Sequence, residues 1–562
     1  MALMSKPEES DLRNLLILIA AASLGLATGA RATEPVAPKL IVAISIDQFS
    51  ANLFDEWRGQ FTGGLKRLSS GVVYTSGYQT HAATETCPGH STLLTGKHPN
   101  KTGIVANVYH DPATGRVVYC VNDPSVVIAH DAKVPPVGPA RMAATTLGDW
   151  MKAANPASRV VAVSAKDRAA ITMAGHQPDG VYWLVEGYGF TTYMAPGGDA
   201  TKALAPVAGY NASIAKVWKT RPKWTYQHAD CRAKAASWTV GGKTWASKLP
   251  PENWGVSDDP KVIKQNVGSS PLADEMTGEA ARHLIKQFDL GKGPAPDLLA
   301  ISFSATDFVG HRYGTRGPEM CEQMHRLDET IGRVLRDLDQ RKVPYLVVLS
   351  ADHGGSDFTE RMQFEGFPNA KRVNSGEVLG RVNKALMVEF GLAKAPLQGS
   401  IEESDLVGVP QADRARVMAA AVRVIAAQPE VTAVFTREQL LETKVRPGVP
   451  PDELTVQERY ALGVYAGRSP EILVALNPQS TLAPAAPGIL LAGHGSVWDY
   501  DRRVPMLFWW PGAQAESRFL PVETADIAPT LASALGLVVP ADVDGRCLTM
   551  PAQSGARCAS NP

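Results

Sequence analysis

Asp307 and His311 stand four residues apart in SATDFVGH, a spacing that places both side chains on one face of a helix. Asp352 and His353 are adjacent in LSADHG, His494 lies between two glycines in LAGHGS, and Asp47 closes IVAISID. Carboxylates and imidazoles together make an oxygen and nitrogen donor set suited to zinc or a similar first-row ion. The six residues divide into two sets of three. Asp307, His311 and His494 form one; Asp47, Asp352 and His353 form the other, with a position left open. Taken singly, an Asp-His pair is an ordinary turn and an Asp-x-x-x-His an ordinary helix-surface pair. The weight lies in finding them together, at or just past the ends of expected strands.

The open position calls for an oxygen, and ATETCPGHST, residues 83–92, offers several candidates. Threonine is a weak nucleophile until its hydroxyl is activated by a base or a metal. Pro88 suits the first turn of a helix, and Gly89 relieves crowding there. Thr86 is expected just before that helix, where outward N–H groups favour an anion. Thr84 shares its face if the chain is extended, but lies further from the helix. Cys87 points away if Thr86 points in. Ser91 and Thr92 fall inside the helix, where a hydroxyl commonly bonds a preceding carbonyl. The preferred nucleophile is Thr86.

Short apolar runs without alternation position these residues. Segments 39–47, 159–168, 297–304, 344–354 and 504–512 read as buried parallel strands. Helical patterns cover 318–341 and 524–535. Strands alternating with helices predict an α/β three-layer sandwich with a mostly parallel central sheet. Ligands of such sheets bind beyond the carboxyl ends of the strands. Asp47, Asp352 and His353 lie at such ends, and Asp307 lies just beyond one. Lys166 and Arg168 close the 159–168 run, and an i,i+2 spacing on a strand would put both cations on one face. The intervals 179–271, rich in Tyr and Trp, and 355–493 break the rhythm. They read as insertions forming a cap over the sheet edge, with separate domains as the alternative.

With 562 residues, 44% hydrophobic and 20% charged, the chain is long enough for a large core. Lys+Arg and Asp+Glu both count 56, so no basic excess points to nucleic acid as a dedicated partner. Lys6 and Arg13, an apolar run over 15–27 and the ARA of 30–32 predict a signal peptide over 1–32, although Glu8, Glu9 and Asp11 dilute its positive start. The run is shorter than the ~20 residues of a membrane span. A stable anchor is therefore not expected, and the periplasm or secretion is. Export permits disulfides. Of the 6 cysteines, Cys547 and Cys558 are the favoured pair, and with no CxxC a thiolate zinc site is not expected. The catalytic domain is expected over 33–550, followed by a small polar tail over 551–562.

The motifs TCPGH, GIVANVYHD, AKDR, DFVGH, SADHG and AGHGS, in that order, resemble the alkaline phosphatase superfamily. Within it they are most similar to the bacterial phosphate-irrepressible enzymes, and the resemblance runs from about Lys39 to Cys547. It implies an alkaline phosphatase-like fold and an exported phosphomonoesterase with two zinc ions and broad range. Thr86 would become phosphorylated and would also ligate one zinc. Asn107, Lys166 and Arg168 would grip phosphoryl oxygens. Asp307, His311 and His494 would hold one zinc, and Asp47, Asp352 and His353 the other. The partners implied are small phosphate monoesters, and a monomer is favoured.

Three rivals remain at this stage. A phosphodiesterase or nucleotide pyrophosphatase could use the same bimetal core, but two extra cations reward a monoester dianion over a diester. An arylsulfatase would carry arginine where His90 stands. A non-catalytic exported zinc-binding protein would bind metal without turnover.

Overall fold

The computed structural model describes residues 37–551, apart from 112–114, 221–222, 253, 255–258 and 486–489, together with 554, 555 and 558. The expected signal peptide lies outside the described residues. Among those described, no helix is long and apolar enough to cross a membrane.

A ten-stranded sheet organises residues 37 onward. Its strands in chain order are β1 (Leu40–Ile46), β2 (Val72–Tyr78), β3 (Val160–Ser164), β4 (Gly180–Val185), β5 (Gly189–Thr191), β6 (Asp297–Phe303), β7 (Tyr345–Ser350), β8 (Arg503–Trp509), β9 (Glu516–Arg518) and β10 (Val522–Glu523). They lie side by side as β9-β2-β8-β7-β1-β6-β3-β4-β5, with β10 also pairing with β2. The five central strands from β7 to β4 are parallel. The expected α/β sandwich with a mostly parallel sheet is what forms.

One strand corrects the sequence reading. The 504–512 run becomes β8, which is antiparallel to both β7 and β2 rather than parallel. Its uninterrupted apolar run reports burial on two faces. Burial on two faces does not encode direction.

Alternation along each central strand feeds two cores. Leu40, Val42, Ile44 and Ile46 join Leu299, Ile301 and Phe303 on one face. Ile41 and Ala43 join Leu298 and Ala300 on the other. Helix Pro318–Arg341 packs Met324, Leu327 and Ile331 against the first face. Helix Thr86–Thr95 packs Leu93 and Leu94 against the second. Each such side chain contributes roughly 1.5–3 kcal/mol when fully buried.

Parallel pairing also sets the level of the strand ends. Ser164 pairs with Ser302, Ser302 with Ser45, and Ser45 with Ser350. A row of small hydroxyl residues thus crosses the sheet. Lys166, Asp47 and Asp352 each follow their serine by two positions, so they emerge at one height.

The interval 179–271 begins inside the sheet, as β4 and β5. It continues with helix Ala200–Thr220 and the hairpin Ala236–Val240 with Lys243–Ser247. The interval 355–493 contains a four-stranded antiparallel sheet whose helices, Ser375–Phe390 and Gln411–Ala426, share a core of their own with Val382, Leu386, Val417 and Ile425. Disulfides join Cys87 to Cys120, Cys231 to Cys321 and the expected pair Cys547 and Cys558.

Candidate active site

Thr86 is the first residue of helix Thr86–Thr95 and Glu85 is its N-cap, so the hydroxyl stands on the helix rather than just before it. The N-terminus is clamped from both sides. Asn107 Oδ1 accepts from Cys87 N at 2.8 Å, and Glu85 Oε2 accepts from Asn107 N at 2.6 Å. Asn107 is thereby fixed beside Thr86, with its amide nitrogen left as a donor. Ser91 and Thr92 both donate to the Pro88 carbonyl, at 2.8 and 3.0 Å, as expected for hydroxyls inside a helix. Thr84 donates to Ser496 O at 2.8 Å.

Lys166 and Arg168 need a second correction. The strand stops at Ser164; Lys166 caps helix Asp167–Ala174, and Arg168 lies in its first turn. They are not neighbours on a strand face, yet both reach the same atom. Lys166 Nζ is 3.4 Å from Thr86 Oγ1 and Arg168 Nη2 is 3.3 Å from it. The turn from strand into helix swings the two side chains together, which an extended chain would have done by parity alone.

The six candidate ligands converge. Asp47, Asp352 and His353 offer ligand atoms within 4.8 Å of one another, as do Asp307, His353 and His494. His311 Nε2 and His494 Nε2 approach Asp307 Oδ1 at 3.2 and 3.3 Å. His353 sits between the sets, with its ring centroid 3.7 Å from that of His494. Lys166 Nζ joins them from the other side, 2.6 Å from both Asp47 Oδ2 and Asp307 Oδ2.

Each imidazole is held the same way. Nδ1 of His311, His353 and His494 lies 2.9, 2.8 and 2.7 Å from the carbonyls of Ala492, Gly354 and Thr84. A proton on Nδ1 donated to a carbonyl leaves the Nε2 lone pair facing the cluster, the arrangement metal-binding histidines adopt. Asp352 Oδ1 is occupied by the N–H groups of Gln48 and His353, at 3.2 and 2.9 Å.

The donor set fits a pair of cations. Among the described residues, Asp47 Oδ1 and His353 Nε2 are buried without a hydrogen-bond partner, and Asp307 Oδ1 and Asp352 Oδ2 meet only imidazole nitrogens. Such atoms are costly unless a counter-charge meets them. Burial, and then the charge of Asp352, hold Asp47 well above the usual carboxylate range. Burial alone would also raise Asp307, but Lys166 and His311 carry it well below that range. Burial pushes His353 down to about 3, so it stays neutral as a ligand must. His494 is also disfavoured by burial, but its contact with Asp307 prevails and lifts it to about 9.

Two contributors escaped the sequence reading. His90 is fully buried. Its Nδ1 lies 2.9 Å from Thr86 O and 3.1 Å from Asp352 Oδ2, and its Nε2 lies 2.9 Å from Ser302 Oγ. It ties the helix of Thr86 to the end of β7. The i,i+4 spacing from Thr86 was the available signal. Tyr119 donates to Asp167 Oδ1 at 2.6 Å and accepts from Arg168 Nη1 at 3.4 Å, bracing that guanidinium. Nothing local in the sequence marks it.

A parallel-sheet sandwich carrying these acidic and imidazole donors beyond its strand ends is the architecture of the alkaline phosphatase superfamily, and comparison with known proteins agrees. The chain belongs to the type I phosphodiesterase / nucleotide pyrophosphatase family, whose model matches residues 41–486. It is 40% identical to the alkaline phosphatase PhoK of Sphingomonas sp over 545 residues, covering 94% of each chain. It is 39% identical to the alkaline phosphatase PhoD of Zymomonas mobilis, covering 92% of this chain and 89% of that one. Its fold superposes on the crystal structure of wild-type alkaline phosphatase PafA with a TM-score of 0.79, at 25% identity, covering 91% of this chain and 98% of that one. The chain is an enzyme of this superfamily, a phosphoesterase.

Proposed function

We propose that this phosphoric monoester hydrolase is an exported, zinc-dependent alkaline phosphatase of broad substrate range that works through phosphorylated Thr86. The observation that carries the reading is the placement of Thr86 Oγ1 under Lys166 and Arg168, beside a cradle of buried and partly unpartnered metal donors. Asp307, His311 and His494 would hold one zinc, and Asp47, Asp352 and His353 the other, with Thr86. When bound, such a pair supplies positive charge for the attacking and departing oxygens of an in-line displacement and acidifies water.

The chain's own residues account for the rest. Thr86 Oγ, its proton lost to solvent, attacks phosphorus from the helix N-terminus, where backbone N–H groups favour the developing anion; the P–O bond to the alcohol breaks, and the alcohol leaves with a proton from water. Asn107, Lys166 and Arg168 bind the non-bridging oxygens and meet charge that grows on them in the transition state. Tyr119 and Asp167 hold Arg168 in place, and His90 holds the helix against Asp352. Water then attacks phosphothreonine, and the Thr86 oxygen leaves.

Diester hydrolysis is the second reading, because the family's description names it. Two cations converging on Thr86 favour the monoester, whose extra charge and third free oxygen they can use. The alkaline phosphatases to which the chain is similar point the same way. We place the catalytic domain at 33–550, with cap insertions at about 355–493 and in the part of 179–271 that follows β5. The signal over 1–32 and the three disulfides support export to the periplasm or medium. A monomer acting on small phosphate esters is the favoured form. The test is a paired assay of an aryl phosphate and a bis-aryl phosphate after chelation and zinc add-back. Monoester turnover should vanish on chelation and return with zinc, and in the zinc-loaded enzyme it should exceed diester turnover. Dominant diester turnover would reverse the assignment.

A further inference from the structure

A cavity lies between the sheet carried by interval 355–493 and the segment 82–85 that leads into the helix bearing Thr86. His494 forms part of its wall, as does Glu85, the residue before Thr86. The cavity therefore adjoins the reacting centre on the His494 side. Its chemistry is unusual for a phosphate enzyme. Glu85, Glu402 and Glu403 line it together with Tyr109, Tyr460 and Trp498, and no lysine or arginine is among its described lining residues.

Glu85 already accepts from Asn107 N at 2.6 Å, but Glu402 keeps an acceptor unused. Glu402 Oε1 is closed to solvent and has no hydrogen-bond partner among the described residues, while its other oxygen accepts from Ser375 Oγ at 2.8 Å. Burial, and then the charges of Glu85 and Glu402, push Glu403 up to about 8. A positive ligand would relieve both penalties. A metal ion is the poorer candidate. Among the described residues, the groups whose ligand atoms converge within 4.8 Å do not include these glutamates. Carboxyl groups that a cation would help to ionise, on an aromatic, largely apolar wall, suit a bulky organic cation instead.

We propose that this cavity receives the alcohol part of the substrate and, within a broad range, favours phosphate monoesters of alcohols that carry a quaternary ammonium or similar organic cation. The inference rests on the monoester reading above and adds a substrate class to it. It also gives the 355–493 interval a role, since Glu402, Glu403, Tyr460 and Trp498 lie within it or directly after it.

The test compares phosphocholine with 3,3-dimethylbutyl phosphate, which has the same shape and lacks the charge. In the unaltered holoenzyme, kcat/KM should favour phosphocholine by about tenfold or more. The ratio should fall towards one in Glu403→Gln and in Glu402→Gln. Calorimetry with choline alone should show binding that 3,3-dimethylbutan-1-ol does not. A ratio near one in the unaltered enzyme, or one that survives both substitutions, would overturn the assignment. If neither ester turned over while choline still bound, the monoester reading would fail and the cation site would stand. No binding of choline would remove the cation site whatever the turnover.

Discussion

A Cβ placed on Gly89 would stand 1.9 Å from the carbonyl oxygen of Asp352. The helix that carries Thr86 is thus pressed directly onto the backbone that carries a candidate metal ligand, with no room for a methyl group. Gly89→Ala should push the two apart. Overpacking of this kind costs about 1–3 kcal/mol. Activity should fall by more than the small loss of thermal stability accounts for, because Thr86 and Asp352 move relative to each other. Turnover and melting temperature measured on one preparation check this; unchanged turnover would show that the close contact does not set the geometry.

Lys166 and Arg168 approach Thr86 Oγ1 from one side and should matter according to substrate charge. Hydrogen bonds to charged groups contribute about 1.5–3 kcal/mol each. The double substitution Lys166→Ala with Arg168→Ala should lower monoester kcat/KM by about 100-fold or more. Diester kcat/KM should fall much less. Equal losses for both ester classes would remove their proposed part in discrimination.

Proton release should accompany metal loading. In the metal-free protein His494 is lifted to about 9 by Asp307, so it carries an added proton at neutral pH. A metal needs the Nε2 lone pair and must displace that proton. Between pH 6 and 8, zinc affinity should therefore rise with pH by about tenfold per unit, and level off only as His494 deprotonates near 9. Zinc titrations against a competing chelator across that range measure the slope. A flat profile would mean that His494 is not a ligand.

Much of the site was readable because parallel register converts sequence position into height. Asp47, Asp352 and Lys166 each lie two residues after a serine, and pairing sets those serines in one row with Ser302. Ligands scattered along the chain therefore had to meet at one edge. The helix over Pro318–Arg341 was readable from its helical pattern. The direction of β8 was not, since strands buried on both faces look alike whichever way they run. The turn that takes Lys166 and Arg168 from strand into helix was also hidden, because both conformations bring the pair to one side. Tyr119 and the glutamates of the cavity act only through neighbours distant in the chain. Local pattern has no record of those.

The account depends on six side chains assembling around two metal ions with Thr86 at the open position. Anomalous diffraction at the zinc edge, from crystals of the holoenzyme and of Thr86→Ala, tests this most directly. Two peaks should appear, one contacted by Asp307, His311 and His494 and one by Asp47, Asp352 and His353, and both should persist in the inactive Thr86→Ala protein. A single peak elsewhere, no peak, or full turnover without the Thr86 hydroxyl would contradict it.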